Sequence, residues 1–197
     1  MKRRAFLLSG FAAAMLAGVL PRSSEAQAKA PSAEAILEQM QSAYAVIQSY
    51  TDQSVATYRN PDGSERLHAD FRIWFIRNAS FRIDAESRSP DGALPRREVM
   101  WTQGTTVRSW TSGKAVTTRP KVQFVGTGMF GAYAYHVPTL LDESYGSGTR
   151  LDEMASPEVV GEETIEDTNC LRVRGSWHGD TYELWIGKDD HLIHKLR

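Results

Sequence analysis

The stretch FRIWFIRNASFRIDAE, residues 71–86, decides how the chain folds. Phe71, Ile73 and Phe75 fall on one side of an extended strand, and Arg72, Trp74 and Ile76 fall on the other. After a break at Asn78, Phe81-Arg82-Ile83-Asp84-Ala85-Glu86 takes up a clean in–out alternation again. A period of two with a polar partner face marks half-buried β-strands. Trp74 and Ile76, however, stand on the side that the arginines assign to water.

Working outward, the same period governs most of the chain. A strand over 55–59 runs into the turn Asn60-Pro61-Asp62-Gly63, and the strand over 67–77 follows it. Residues 87–95 form a loop around Pro90-Asp91-Gly92. Three further strands are expected over 97–102, 105–111 and 115–118. Gln103-Gly104 and Ser112-Gly113 between them are short enough for hairpin turns, so the segment reads as an antiparallel meander. Strands return over 158–164 and 170–175, and a closing hairpin spans 181–187 and 192–196. Trp110 and Trp185 repeat the off-phase aromatic pattern of Trp74.

Two segments break the period. Residues 32–48 carry Ile36, Leu37, Met40, Tyr44 and Ile47 as one apolar stripe, with Ser32 placed to cap a helix and Glu34 near its positive end. Residues 123–142 are apolar but interrupted by Gly126, Gly128, Gly131 and Pro138. Short helical turns are expected there, the better one over 138–143 with Pro138 near its start. Residues 144–154 read as polar loop.

The chain opens with Lys2, Arg3 and Arg4, an apolar run over 5–20, and Ala26-Gln27-Ala28. This is the pattern of a secretory signal peptide over 1–28, which leaves a single domain over 29–197. Arg3-Arg4-Ala5-Phe6-Leu7 resembles the twin-arginine export motif. Removing the segment takes away four positive residues (Lys2, Arg3, Arg4, Arg22) and Glu25, moving the net charge from −1 to −4. That balance gives no reason to expect nucleic acid as a partner. No cysteine follows the apolar run, so the expectation is an exported protein that is not itself lipidated. Cys170, the single cysteine, sits in a strand pattern where a small buried hydrophobe is expected.

No catalytic constellation emerges, and no enzyme, metal or cofactor is expected. His68, His136, His178, His191 and His194 form no ligand pattern, since an i, i+3 pair on a strand points to opposite faces. Asp152-Glu153, Glu162-Glu163 and Asp189-Asp190 lie in polar or turn contexts. What remains is an apolar inventory larger than one helix stripe covers. It admits two readings: a hollow for a greasy ligand, or a fully packed core.

The phrases VVGEETIEDTNCLRVRG and YELWIGKDDHLIHKLR resemble the closing strands of the LolA/LolB-like periplasmic lipoprotein-carrier superfamily, through Gly161, Glu163, Ile165, Cys170, Leu171 and Val173 and then Leu184, Trp185, Ile186, Leu192, Ile193 and Lys195. AEAILEQMQSAYAVIQSYTDQSVATY and HVPTLLDE resemble its opening helix and mid-chain helix. The turn Glu166-Asp167-Thr168 lacks the family's glycine. Arg72, Arg82 and Arg108 are candidates by strand position for the family's gating arginine.

The resemblance implies an α+β fold: a curved antiparallel sheet forming an incomplete β-barrel, with one long N-terminal helix and short lid helices. Its implied partners are lipoprotein acyl chains or lipid, with an inner- or outer-membrane protein as a further partner. On this reading Phe71, Ile73, Phe75, Phe81, Ile83, Leu171, Val173, Tyr182, Leu184 and Ile186 line the ligand site, and Phe124, Met129, Phe130, Leu140 and Leu141 form the lid. The alternative is an envelope sensor or protein-interaction module with a packed barrel and no lipid cargo. In it, the edge strand over 192–196 pairs with a partner strand.

Overall fold

A computed structural model describes residues 30–89, 96–120, 131–145 and 150–197. Helix α1 (Ala33–Val46) starts at Ser32, whose Oγ accepts the Ala35 N–H at 3.3 Å. Six strands follow: β1 (Ser49–Arg59), β2 (Glu65–Ile76), β3 (Ser80–Arg88), β4 (Arg96–Gln103), β5 (Thr106–Thr111) and β6 (Thr117–Pro120). Helix α2 (Gly131–Leu141) leads to 3-10 turns at Glu143–Tyr145 and Leu151–Glu153. The chain then runs through β7 (Ala155–Ile165), β8 (Thr168–Trp177), β9 (Asp180–Gly187) and β10 (Ile193–Leu196). No described helix is long and apolar enough to cross a membrane.

The strands form two separate antiparallel sheets, β1 to β6 in chain order and β7 to β10 in chain order. Neither closes on itself, and among the described residues no ladder joins one to the other. This corrects the expectation of one curved sheet forming an incomplete β-barrel. The physical reason is that alternation along a strand reports which side is buried, while sheet membership depends on which backbones pair. Among the described residues the ladder stops at β6, and the next described strand, β7, belongs to the other sheet.

In the opening stretch, Phe75 faces Phe81, Ile73 faces Ile83 and Phe71 faces Ala85 across the β2–β3 ladder. Asn78 makes the turn in the left-handed region, φ 58°, a conformation that asparagine tolerates. Two other expectations change. Pro138 lies inside α2 rather than near its start, so that helix lacks one backbone donor. The polar loop over 144–154 contains two anchored turns, with Tyr145 and Leu151 buried. Isolated hydrophobes in a polar run have no period by which to be recognised.

Candidate functional site

The inner faces of both sheets and the apolar sides of both helices feed one hydrophobic cluster. Phe71, Ile73 and Phe75 of β2 and Phe81 and Ile83 of β3 enter it from the first sheet. Val173 of β8 and Leu184 and Ile186 of β9 enter it from the second, and Leu171 and Tyr182 pack against it half-buried. All ten sequence-predicted lining residues therefore share one interior. Of the predicted lid, Leu140 and Leu141 lie on α2 and are buried in the same cluster. Phe124, Met129 and Phe130 lie outside the described residues.

The interior also holds groups not assigned to the site by sequence. Ile36, Leu37, Met40 and Tyr44 of α1 pack among the lining residues, so the helix stripe is part of the same interior surface. Met100 of β4 and Val107 of β5 extend the first sheet's contribution. Tyr145 brings its ring to 5.0 Å from that of Phe81. A cavity of about 310 Å³ at Glu65, His68, Arg88 and Ser89 lies elsewhere, and its polar lining does not suit a hydrocarbon.

A small set of polar contacts fixes α1 between the sheets. Arg77, just past β2, donates from Nε to the Ile47 carbonyl at 2.8 Å and from Nη2 to the Tyr44 carbonyl at 3.1 Å. A cation on the last carbonyls of a helix satisfies orphan acceptors and meets the negative end of its dipole. On the other side, the Tyr44 hydroxyl accepts the Ile193 N–H of β10 at 3.2 Å. Burial pushes the Tyr44 phenol up to about 12. Tyr50 and Asp52 of β1 continue this polar seam. Burial is the main cause of the upward shift of both, with Tyr44 adding to that of Tyr50.

His136 of α2 is 1% exposed, and its Nε2 has no hydrogen-bond partner. The Trp177 and Tyr182 rings meet it edge-on at 4.7 and 5.3 Å. Burial lowers its pKa to about 4, so the imidazole is neutral near pH 7. Nothing in the sequence marked this histidine, because it lies in the aperiodic apolar segment. His194 of β10, by contrast, meets Asp190 of the preceding turn at 2.9 Å. Gly187 sits under that pair, and a Cβ there would collide with the Asp190 carboxylate. Among the described residues no three histidine, cysteine or carboxylate groups gather as metal ligands.

The off-phase tryptophans separate into two kinds. Trp185, on the outer side of β9, is only 2% exposed. Lys195 stands 4.2 Å and the Arg172 guanidinium 5.2 Å from its ring centroid, and its Nε1 donates to Glu163 at 2.7 Å. That hydrogen bond, with Lys195 and Arg172, holds the Glu163 carboxyl below its ordinary range. Beside it, Glu183 is buried against Arg172, Arg174 and Arg197. Desolvation raises its pKa, but the three guanidiniums outweigh it, so the net shift is downward. Trp74, on the outer side of β2, stays 39% exposed.

No family model and no curated protein matches the chain. Among solved structures it is similar to LprF from Mycobacterium bovis, at 13% identity over 83% of this chain and 84% of that one, with a TM-score of 0.49. It is similar to the lipoprotein LppX of Mycobacterium tuberculosis at 14% identity over 83% and 85%, with a TM-score of 0.46. A putative outer membrane lipoprotein-sorting protein domain from Vibrio parahaemolyticus matches at 12% identity over 81% and 68%, with a TM-score of 0.35. Likenesses this weak carry no argument about cargo or activity.

Proposed function

We propose that the protein is an exported, non-catalytic carrier that binds the acyl chains of a lipoprotein or a lipid within the interior shared by its two sheets. One observation supports this above the others. Both sheets and both helices build a single apolar cluster, yet no strand ladder crosses from one sheet to the other among the described residues. Side-chain contacts hold that joint, and hydrocarbon can replace such contacts without breaking a ladder. Each buried methylene is worth about 0.8 kcal/mol, so a partly inserted chain gains useful and reversible affinity. The ten lining residues are the proposed contact surface, and α2, with Leu140 and Leu141, is its movable cover.

On this proposal the chain works in the periplasm and exchanges cargo with a membrane-bound protein. The alternative of a partner strand on β10 is less favoured. One outward N–H of that strand, at Ile193, is already engaged by Tyr44. The test is native purification from bacterial cells, mass spectrometry of organic extracts, and titration with a fluorescent fatty acid. Acyl species in the extract and saturable uptake are expected. Clean extracts together with no uptake overturn the carrier reading.

A further inference from the structure

The outer face of the first sheet carries a pattern that the interior does not explain. The ladder places Trp74, Arg82, Trp101 and Arg108 side by side, one on each of β2 to β5. Arg72 and Trp110 lie in the adjacent row, at either side of the Asp84–Val99 pair. Indole and guanidinium thus interleave across the sheet. Arg82 stands 5.9 Å from the Trp74 ring centroid and pairs with Asp84. Arg72 and Arg108 are exposed, and among the described residues neither has a carboxylate partner. On the same side of β2, two residues along from Trp74, Ile76 is 53% exposed.

The charge is also unevenly divided along the chain. Residues 49–120 hold ten arginines and one lysine against eight carboxylates, while residues 121–197 hold seven basic and 13 acidic groups. A positive sheet on a chain of net negative charge is a local feature, not a consequence of bulk composition.

We propose that this face docks on a bilayer surface bearing anionic phospholipid headgroups. Arginine binds phosphate oxygens through its planar fork, and tryptophan settles at headgroup depth. Ile76, beside Trp74, supplies an aliphatic group for the acyl boundary. That group favours a bilayer over a glycan or a nucleic acid, neither of which offers it a partner. The row runs over the four strands β2 to β5, roughly 14 Å at about 4.8 Å per strand. This docking does not depend on what the interior binds.

The test is co-sedimentation of the mature chain with vesicles of phosphatidylcholine, with and without phosphatidylglycerol, at low and high salt. Binding to the anionic vesicles, lost at high salt, is expected. Arg72→Gln with Arg108→Gln should weaken it roughly 25-fold, about fivefold per arginine. These side chains are exposed and pair with no carboxylate among the described residues, so circular dichroism should show an unchanged fold. Trp74→Ser should reduce both the binding and the quenching of tryptophan emission by brominated lipid. Failure to bind anionic vesicles overturns the proposal, as does binding that is indifferent to both arginines. Equal affinity for dextran sulfate, a polyanion without acyl chains, also overturns it. None of these outcomes depends on acyl chains in the extract, so the carrier reading and the docking face fail separately.

Discussion

His136 shows how much one side chain can set. Its imidazole is buried, aromatic on two sides and lacks a partner at Nε2. A base whose pKa falls on folding stabilises the native state fully above its unfolded pKa, near 6.5. That contribution drains away as pH falls through the folded value, about 4. The loss across this window is roughly 3 kcal/mol, enough to matter against a total of about 5–15. His136→Phe keeps an aromatic of similar size and removes the proton site. Urea unfolding of the variant should therefore show a shallower decline between pH 6.5 and 4 than the parent, and parallel declines would show that His136 does not govern acid stability. Trp185 makes the complementary point: an off-phase aromatic in a sequence can be a buried platform beneath charged side chains rather than half of an apolar face.

At the scale of elements, α1 is the piece that both sheets hold. Arg77 secures its last carbonyls from the first sheet, and the backbone of β10 secures Tyr44 from the second. Tyr44→Phe leaves the Ile193 N–H without its acceptor while keeping the ring in place. A loss of about 1–2 kcal/mol in urea unfolding is expected, from one broken hydrogen bond and one stranded donor. A neutral result would mean that the hydroxyl does not tie the helix to the sheet. The helix itself was legible in sequence, through Ser32 and the stripe from Ile36 to Tyr44, and so were the β2–β3 pair and the closing hairpin. Helix α2 and the two turns after it were not, because Gly131 and Pro138 erase the period and Tyr145 and Leu151 stand alone among polar neighbours. The lining residues were legible as apolar faces. That helix side chains pack among them was not, since periodicity gives a direction for each side chain and no distance to its neighbour.

The whole molecule is two meanders around one shared interior. Ladder bonds inside each sheet should outlast the joint between them, which rests on side chains and helices. Hydrogen exchange tests this: amides paired within β2–β3 and β8–β9 should exchange only through global unfolding, and Ile193, whose N–H crosses the joint, through a smaller opening. Equal protection at all of these sites would mean that the sheets separate only when the entire fold is lost. The expected barrel failed at this scale because the pairing partner of a strand is a property of the assembled backbone.

The Tyr44–Ile193 hydrogen bond spans 149 residues, whereas nearly every other pairing links neighbours in the chain. Each hairpin can zip up beside the one before it, so contact order within a sheet is low and its closure quick. The earliest helix, though, waits for the final strand before its hydroxyl is satisfied. A route that begins with these local steps would end with the long-range clasp, and the greasy middle would stay open to solvent until it formed.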